Sequence, residues 1–297
     1  MLNIHKVGVV LFVYSELGLD LLKIIHNKKI KIHMVITHKN KKRENIWFDS
    51  CAEFCKKNGI KSCYFEKTNF NKIYKYLIKF EISCIFSAYF RKIIPEKILE
   101  LPKNGAVNLH ASYLPYYKGR APVNWQIING EKFSGGTIHY MNKYADRGNI
   151  IYQKKIKINN MMTAYALQKK INKYFKYVLN KNIHKIINGE CPSIKQNVNG
   201  SYYGKRKPSD GKILWNKKAF DIYNLVRGLS KPYPGAFFIF NSKKIIIEKC
   251  SISKIKSRKI KPKYLYIRKN LYIKCKDYYI KVIKLVNSKR IKIKQTS

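Results

Sequence analysis

Val7-Gly-Val-Val-Leu-Phe-Val13, the stretch Gly18 to Lys28, and Ile30-Lys-Ile-His-Met-Val-Ile-Thr37 follow one another near the start of the chain. The first and third runs are short and apolar enough to read as buried strands, and the stretch between them reads as a helix. The pattern continues. Ile46 to Lys57 reads as a helix, Ser83 to Ser87 as a strand and Pro95 to Leu101 as a short helix. Apolar strand runs alternating with helices argue for an α/β fold with a parallel, Rossmann-like sheet and crossover connections. No Gly-x-Gly-x-x-Gly follows any of these strands, so a dinucleotide site is unsupported. Thr163 to Asn188 places Leu167, Ile171, Phe175, Val178, Leu179 and Ile183 near helical spacing and predicts a long helix closing a first domain.

Asn197-Val-Asn-Gly-Ser201 is polar and turn-forming, and sets the expected boundary between a domain of residues 1–200 and one of 201–297. Beyond it, Ala219 to Leu229 reads as a helix. Tyr233 to Phe240, Lys243 to Cys250, Tyr264 to Ile267, Leu271 to Cys275 and Tyr278 to Leu285 read as short strands, which suggests a small, open, OB-like β-barrel. The basic tail Ser288 to Ser297 is expected to be disordered.

At 297 residues with seven cysteines in no regular spacing, the chain fits a protein with reduced thiols, and a cytoplasmic location is expected. Cys51 and Cys55 read as small buried side chains rather than metal ligands. No stretch of about twenty apolar residues exists, so no membrane span is expected. Val7 to Val13 reads as a strand rather than a signal peptide, because no small-residue cleavage site precedes Glu16 and Asp20. The net charge of +46 would attract any polyanion. Lysine is spread along the whole chain, however, and travels with much Asn, Ile and Tyr, as A- and T-rich coding would produce. Charge therefore does not choose a nucleotide sugar, a polyglutamylated folate or tRNA.

Asn108-Leu-His110-Ala-Ser-Tyr-Leu-Pro115 and Tyr144-Ala-Asp146-Arg-Gly148 carry the chemistry. Asn108 and His110 are two apart at the end of an apolar run, so a strand would turn both to one face. Asp146 is far enough along to return from another strand. Taken singly, the histidine could be a core residue, the asparagine an Asx turn or cap, and the aspartate turn chemistry. Together they supply an amide donor, a group titrating near neutrality and a carboxylate to orient it.

The wording from Asn108 to Trp125, with Thr137-Ile-His-Tyr-Met141 and Ala145-Asp-Arg-Gly148, resembles the folate-dependent formyltransferases. Tyr113, Gly136 and Asn149 depart from that family where Leu, Val and Asp are usual. The resemblance implies transfer of a formyl group from 10-formyltetrahydrofolate to an amine, with no metal and no side-chain nucleophile. It implies catalytic roles for Asn108, His110 and Asp146: Asn108 donating to the oxyanion, His110 moving protons, Asp146 orienting the imidazole and raising its pKa. It places the folate around Lys92, Ile93, Ile94 and the loop Asn142, Lys143, Tyr144, Ala145, Asp146, with Arg120 as the substrate-side arginine.

The acceptor is a finer question. Thr37 to Phe48 is short for the basic loop of methionyl-tRNA formyltransferases, and its ending Glu44-Asn-Ile-Trp-Phe48 is similar to the sugar-modifying branch. Gly119 to Trp125, Tyr203 to Gly211 and Lys231 to Phe237 look closest to the formyltransferase domain of bifunctional polymyxin-resistance enzymes, which formylates UDP-4-amino-4-deoxy-L-arabinose. At this length their decarboxylase domain is not expected here. The expected partners are thus a folate donor and a nucleotide-linked 4-amino sugar, with methionyl-tRNA as the alternative acceptor. A nucleic-acid-coating protein with a decayed site is disfavoured by the intact Asn108, His110 and Asp146. Oligomeric state is not legible here.

Overall fold

A computed structural model describes residues 7–40, 45–196, 200–257, 263–267 and 270–286. Three expectations lie wholly or partly outside them: the loop through residues 41–44, the boundary turn at 197–199 and the tail from Ser288. The chain divides into two compact units, Met1–Gly119 with Gly135–Ile156 and Lys170–Tyr202, and Arg120–Ser134 with Lys157–Lys169 and Tyr203–Ser297.

In chain order the elements up to residue 203 are β1 (Val7–Val13), α1 (Ser15–Asn27), β2 (Ile32–Thr37), α2 (Cys51–Lys57), β3 (Ser62–Tyr64), α3 (Phe70–Leu77), β4 (Glu81–Ala88), α4 (Glu96–Leu99), β5 (Ala106–His110), β6 (Lys118–Gly119), α5 (Pro122–Ile128), β7 (Phe133–Tyr140), β8 (Ile150–Lys157), α6 (Ala164–Ile187) and β9 (Tyr202–Tyr203). Seven strands form one sheet in the order β3-β2-β1-β4-β5-β7-β8. β1 runs parallel to β2 and β4, and β4 parallel to β5.

The unbroken apolar run of β1 has a direct cause. Val9 to Val13 are all 0% exposed, so both faces of the strand are covered. Val10 and Phe12 join Met34, Ile36, Ile73 and Leu77 in one core. Val9, Leu11 and Val13 alternate to the other face. α1 touches β1 and has Leu17, Leu21 and Ile25 fully buried. The expected long helix is α6, with Leu167, Ile171, Phe175 and Leu179 at 0% exposure.

The sheet departs from the parallel expectation beyond β5, which pairs with β7 antiparallel. β7 and β8 escaped the pattern because their apolar runs are interrupted by Gly135-Gly136 and by Gln153-Lys-Lys155. Gly135 is required there, since a Cβ would lie 2.6 Å from the Lys154 carbonyl. β3, only three residues long, went unread, as did α3 and α5. α2 begins at Cys51, not Ile46, because Ser50 Oγ accepts the Glu53 N–H at 3.3 Å and starts the helix there. Phe48 instead packs edge-on against Tyr14, with ring centres 5.3 Å apart.

The second unit contains α5, α7 (Ala219–Leu229), β10 (Ala236–Phe240), β11 (Lys243–Lys256), β12 (Tyr264–Ile267), β13 (Asn270–Lys274) and β14 (Tyr278–Val286). The strands form an antiparallel sheet in the order β10-β11-β14-β13-β12. Ile245, Ile247, Ile273 and Ile280 face a core closed by Ile222, Val226 and Leu229 of α7. The sheet coils enough that Phe240 of β10 meets Tyr264 of β12, ring centres 6.2 Å apart. Its second strand runs six residues beyond the expected Cys250, continuing as alternating Ile and polar residues.

Candidate active site

β5 ends in the two residues singled out by the sequence, and its antiparallel neighbour supplies the rest. In the β5–β7 register Asn108 lies opposite His139 and His110 opposite Thr137. Asp146 is not on a returning strand. It sits in the connection between β7 and β8, with a left-handed backbone (φ +56). That connection is tight: a Cβ on Gly148 would overlap the Tyr140 carbonyl oxygen. The turn therefore admits only glycine at 148 without a shift of backbone.

The three residues meet. Asn108 Nδ2 donates to Asp146 Oδ1 at 3.3 Å, and His110 Nδ1 lies 3.5 Å from the same oxygen. The other carboxylate oxygen accepts the Gly119 N–H at 2.8 Å. A fourth member is His139, whose Nε2 accepts from Asn108 Nδ2 at 3.2 Å and lies 3.4 Å from Asp146 Oδ1. His139 was quoted within its sequence block but given no role. The readable signal was its i, i+2 spacing from Thr137, which turns it to the face that a pairing strand presents to Asn108.

Hydrogen bonds fix the protons. A carbonyl only accepts, so the 2.8 Å contact of His110 Nε2 with the Tyr117 carbonyl puts a proton on Nε2. The 2.7 Å contact of His139 Nδ1 with the Tyr140 carbonyl does the same at Nδ1, leaving Nε2 to accept from Asn108. Both acceptors of Asn108 demand N–H, so its amide orientation is determined as well. Burial pushes the His110 imidazole below its ordinary value, and the nearby Asp146 charge only partly opposes it. The expected upward shift is thus outweighed by desolvation. The result is a neutral imidazole at neutral pH with its Nδ1 lone pair toward the carboxylate. Burial alone would raise the Asp146 carboxyl. The positive charge of a protonated His110 or His139, with the Gly119 N–H, holds it well below the usual carboxylate range, so it stays ionised beside the neutral rings.

The other expected residues divide. Ile94 is buried in the first unit's core, whereas Ile93 is 67% exposed and Lys92 is exposed. Asn142 Oδ1 accepts the Tyr144 N–H at 2.9 Å and shapes the loop that ends in Ala145 and Asp146. Lys143 Nζ comes within 3.9 Å of Glu96, which brings that loop beside the segment following Ile94. Arg120 belongs to the second unit, where its N–H donates to the Tyr203 carbonyl at 2.8 Å. In the same unit the Trp125 and Tyr203 rings pack tilted, with centres 5.6 Å apart and planes 32° apart, and the Arg206 guanidinium lies 5.7 Å over Trp125. Arg206 Nε is buried with no hydrogen-bond partner. Among the described residues no group of three or more His, Cys, Asp or Glu is placed to hold a metal, and no helix is long and apolar enough to cross a membrane. Cys51 and Cys55 are buried thiols whose pKa values burial pushes up to about 12 and about 11.

A third histidine, His38, braces the segment before Lys92. His38 Nδ1 donates to Glu66 Oε1 at 2.7 Å, its Nε2 accepts the Arg91 N–H at 3.0 Å, and its ring stacks on Phe90 at 4.5 Å. Burial lowers the His38 pKa despite Glu66. Burial would raise Glu66, yet the Lys39 N–H and His38 hold it below its ordinary value. Unfolded, such a histidine titrates near 6.5 and such a carboxyl near 4.3. The unfolded chain therefore binds more protons as pH falls through these values, and stability is lost on acidification below about 6.5. Urea unfolding at about pH 7 and about pH 5 should show the loss. His38→Phe, which keeps the ring stack, should make it smaller.

Comparison with known proteins completes the description. The Formyl transferase family pattern matches residues 9–183, and its C-terminal domain pattern matches residues 205–297. Bifunctional polymyxin resistance protein ArnA of Wigglesworthia glossinidia brevipalpis is 42% identical over 247 residues, 82% of this chain and 38% of that protein. The chain thus spans under two fifths of that relative's length. The crystal structure of WlaRD, a sugar 3N-formyl transferase with dTDP and 5-N-formyl-THF, superposes with a TM-score of 0.72 at 26% identity, covering 95% of this chain and 99% of that one. An N-formyltransferase from Helicobacter canadensis, in complex with folinic acid and dTDP-3-aminofucose, superposes at 0.71 and 26%, covering 93% and 98%. Two patterns that between them account for both the mixed sheet and the antiparallel one leave a single conclusion: the chain belongs to the formyl transferase family.

Proposed function

We propose that the protein transfers a formyl group from 10-formyltetrahydrofolate to the amine of a nucleotide-linked 4-amino sugar of the UDP-4-amino-4-deoxy-L-arabinose type. The observation that carries the reading is the cluster of half-buried Asn108 and Asp146 with buried His110 and His139, in which backbone carbonyls fix one proton on each imidazole. Bound 10-formyltetrahydrofolate supplies the formyl carbon, an acyl group held on nitrogen. Exposed Ile93 and Lys92 offer an apolar surface and a cation, and the Asn142 to Asp146 loop offers backbone groups, which suits a flat ring system carrying carboxylates.

His110 does the proton work. Neutral, with its proton held on Nε2 by the Tyr117 carbonyl, it presents Nδ1 as a base for the proton that leaves the attacking amine. The imidazolium so formed gains the Asp146 charge at 3.5 Å and gives the proton up to the departing folate nitrogen as its bond to the formyl carbon breaks, leaving the formamide and tetrahydrofolate. Asn108 must redirect one N–H, most easily the one shared with His139, toward the formyl oxygen as charge develops there. One such donor is worth about 3 kcal/mol of barrier. Asp146 holds the frame.

For the acceptor, the support is the ArnA identity and the sugar N-formyltransferase neighbours. The test is formyl transfer measured in parallel on UDP-4-amino-4-deoxy-L-arabinose and methionyl-initiator tRNA at moderate salt. Turnover of the sugar alone is expected. Turnover of the tRNA alone would overturn the acceptor assignment.

A further inference from the structure

We propose that Gln196 is a positioning residue for Asp146, a strap that holds the carboxylate-bearing loop in its working conformation. Gln196 lies well outside the sequence blocks that carry the site, after α6. It is brought back by a two-bond bridge in which Ile150 N donates to Ile194 O at 2.8 Å and Ile194 N to Ile150 O at 2.9 Å. From there Gln196 Nε2 donates one hydrogen to the Asp146 carbonyl at 3.0 Å and the other to the Gly148 carbonyl at 2.7 Å. One side chain thus grips the backbone on both sides of Arg147.

Two features separate this from ordinary satisfaction of a turn. The gripped backbone is left-handed at Asp146 (φ +56), a conformation that a non-glycine residue adopts only at a cost. Such a conformation persists only where its surroundings over-determine it. Gln196 also breaks a rule in making the grip: the residue is 9% exposed, and its Oε1 is buried with no hydrogen-bond partner. A purely structural residue that buries an unpaired acceptor is a poor choice. A residue selected for where its two N–H groups point is not. The strap explains why the carboxylate can sit 2.8 Å from the Gly119 N–H and 3.5 Å from His110 although it is carried on a connection rather than on a strand.

The first readout needs no substrate, so it stands apart from the formyl-transfer reading on which the inference rests. The His110 imidazole is titrated by NMR, identified by difference from His110→Ala, in the wild type, Gln196→Leu and Gln196→Ala. Leu keeps most of the volume. Ala leaves room for water to take the carbonyl bonds and folds even if Leu does not. With the strap gone the carboxylate relaxes away from the ring, and His110 should titrate at lower pH in both variants. An unchanged titration overturns the proposal.

The second readout is turnover. Both variants should lose about 10- to 100-fold in kcat, the scale of a misplacement near 1 Å, with the KM of either substrate within about twofold. In an Asp146→Asn background the same substitutions should cost less than about twofold, because the group they position is already gone. A full additive loss in that background, or a fall in Tm with kcat unchanged, would mean that Gln196 serves folding alone. Lack of turnover in the wild type would sink the formyl-transfer reading, and the titration would still decide the strap.

Discussion

Asp146→Asn is expected to lower kcat by about 10³- to 10⁴-fold, the loss seen when a carboxylate that orients and pairs a catalytic imidazole is made neutral. The Asn108 and His110 contacts and the Gly119 N–H all converge on this one side chain. An asparagine of the same shape can keep an acceptor toward Gly119 or toward Asn108, not both. It also turns an N–H toward His110 Nδ1, which would occupy the lone pair that must take the proton. KM values should change little, since the 142–146 loop meets the folate through backbone groups that the substitution leaves in place. Folding should survive, because the ordinary partner of the lost charge, His110, is neutral at rest. Steady-state kinetics with a circular-dichroism melt checks both halves. Activity within tenfold of the wild type would remove Asp146 from its assigned role.

His110→Ala should cost about 10²- to 10⁴-fold in kcat and also change the shape of the pH profile. Burial lowers the pKa of this imidazole, so the wild type keeps its base form through neutral pH. Its kcat/KM should fall only on the acid side, below about 6.5, as Nδ1 is protonated and the base is lost. The variant should lack that limb and show a flat, low rate across the same range. Added imidazole should restore part of the rate with an acid limb near its own pKa. A variant that kept the wild-type limb would show that another group titrates, and His139, 3.4 Å from the same carboxylate oxygen, would be the one to examine.

How far the site could be read beforehand depended on distance along the chain. Asn108 and His110 share a strand, and the two-residue repeat of a strand makes their common face a local property. Asp146 could be expected to join them, but its location could not: the strand-return picture fails because Gly148 packs against Tyr140 and throws the residue into a left-handed turn. His139 stood inside the motif Thr137 to Met141 and still went unassigned, since its role follows from the β5–β7 register, which pairs it with Asn108. Gln196 carried no signal. It is fifty residues from its partner's loop, and only the Ile150–Ile194 bridge brings it there.

The fold divides along the same line. The sequence determined the α/β class, the buried first strand, the long helix after residue 163 and the run of short strands near the end. In each of these a repeat of two or 3.6 residues records which side of an element meets the core. Tertiary structure alone decided the antiparallel turn of β7, the coiling that brings Phe240 to Tyr264, and the direction of the His110 pKa shift. Each of those depends on what surrounds a group after distant segments have packed. A charge partner can be guessed from a motif, but the water removed from around it is a property of the whole fold.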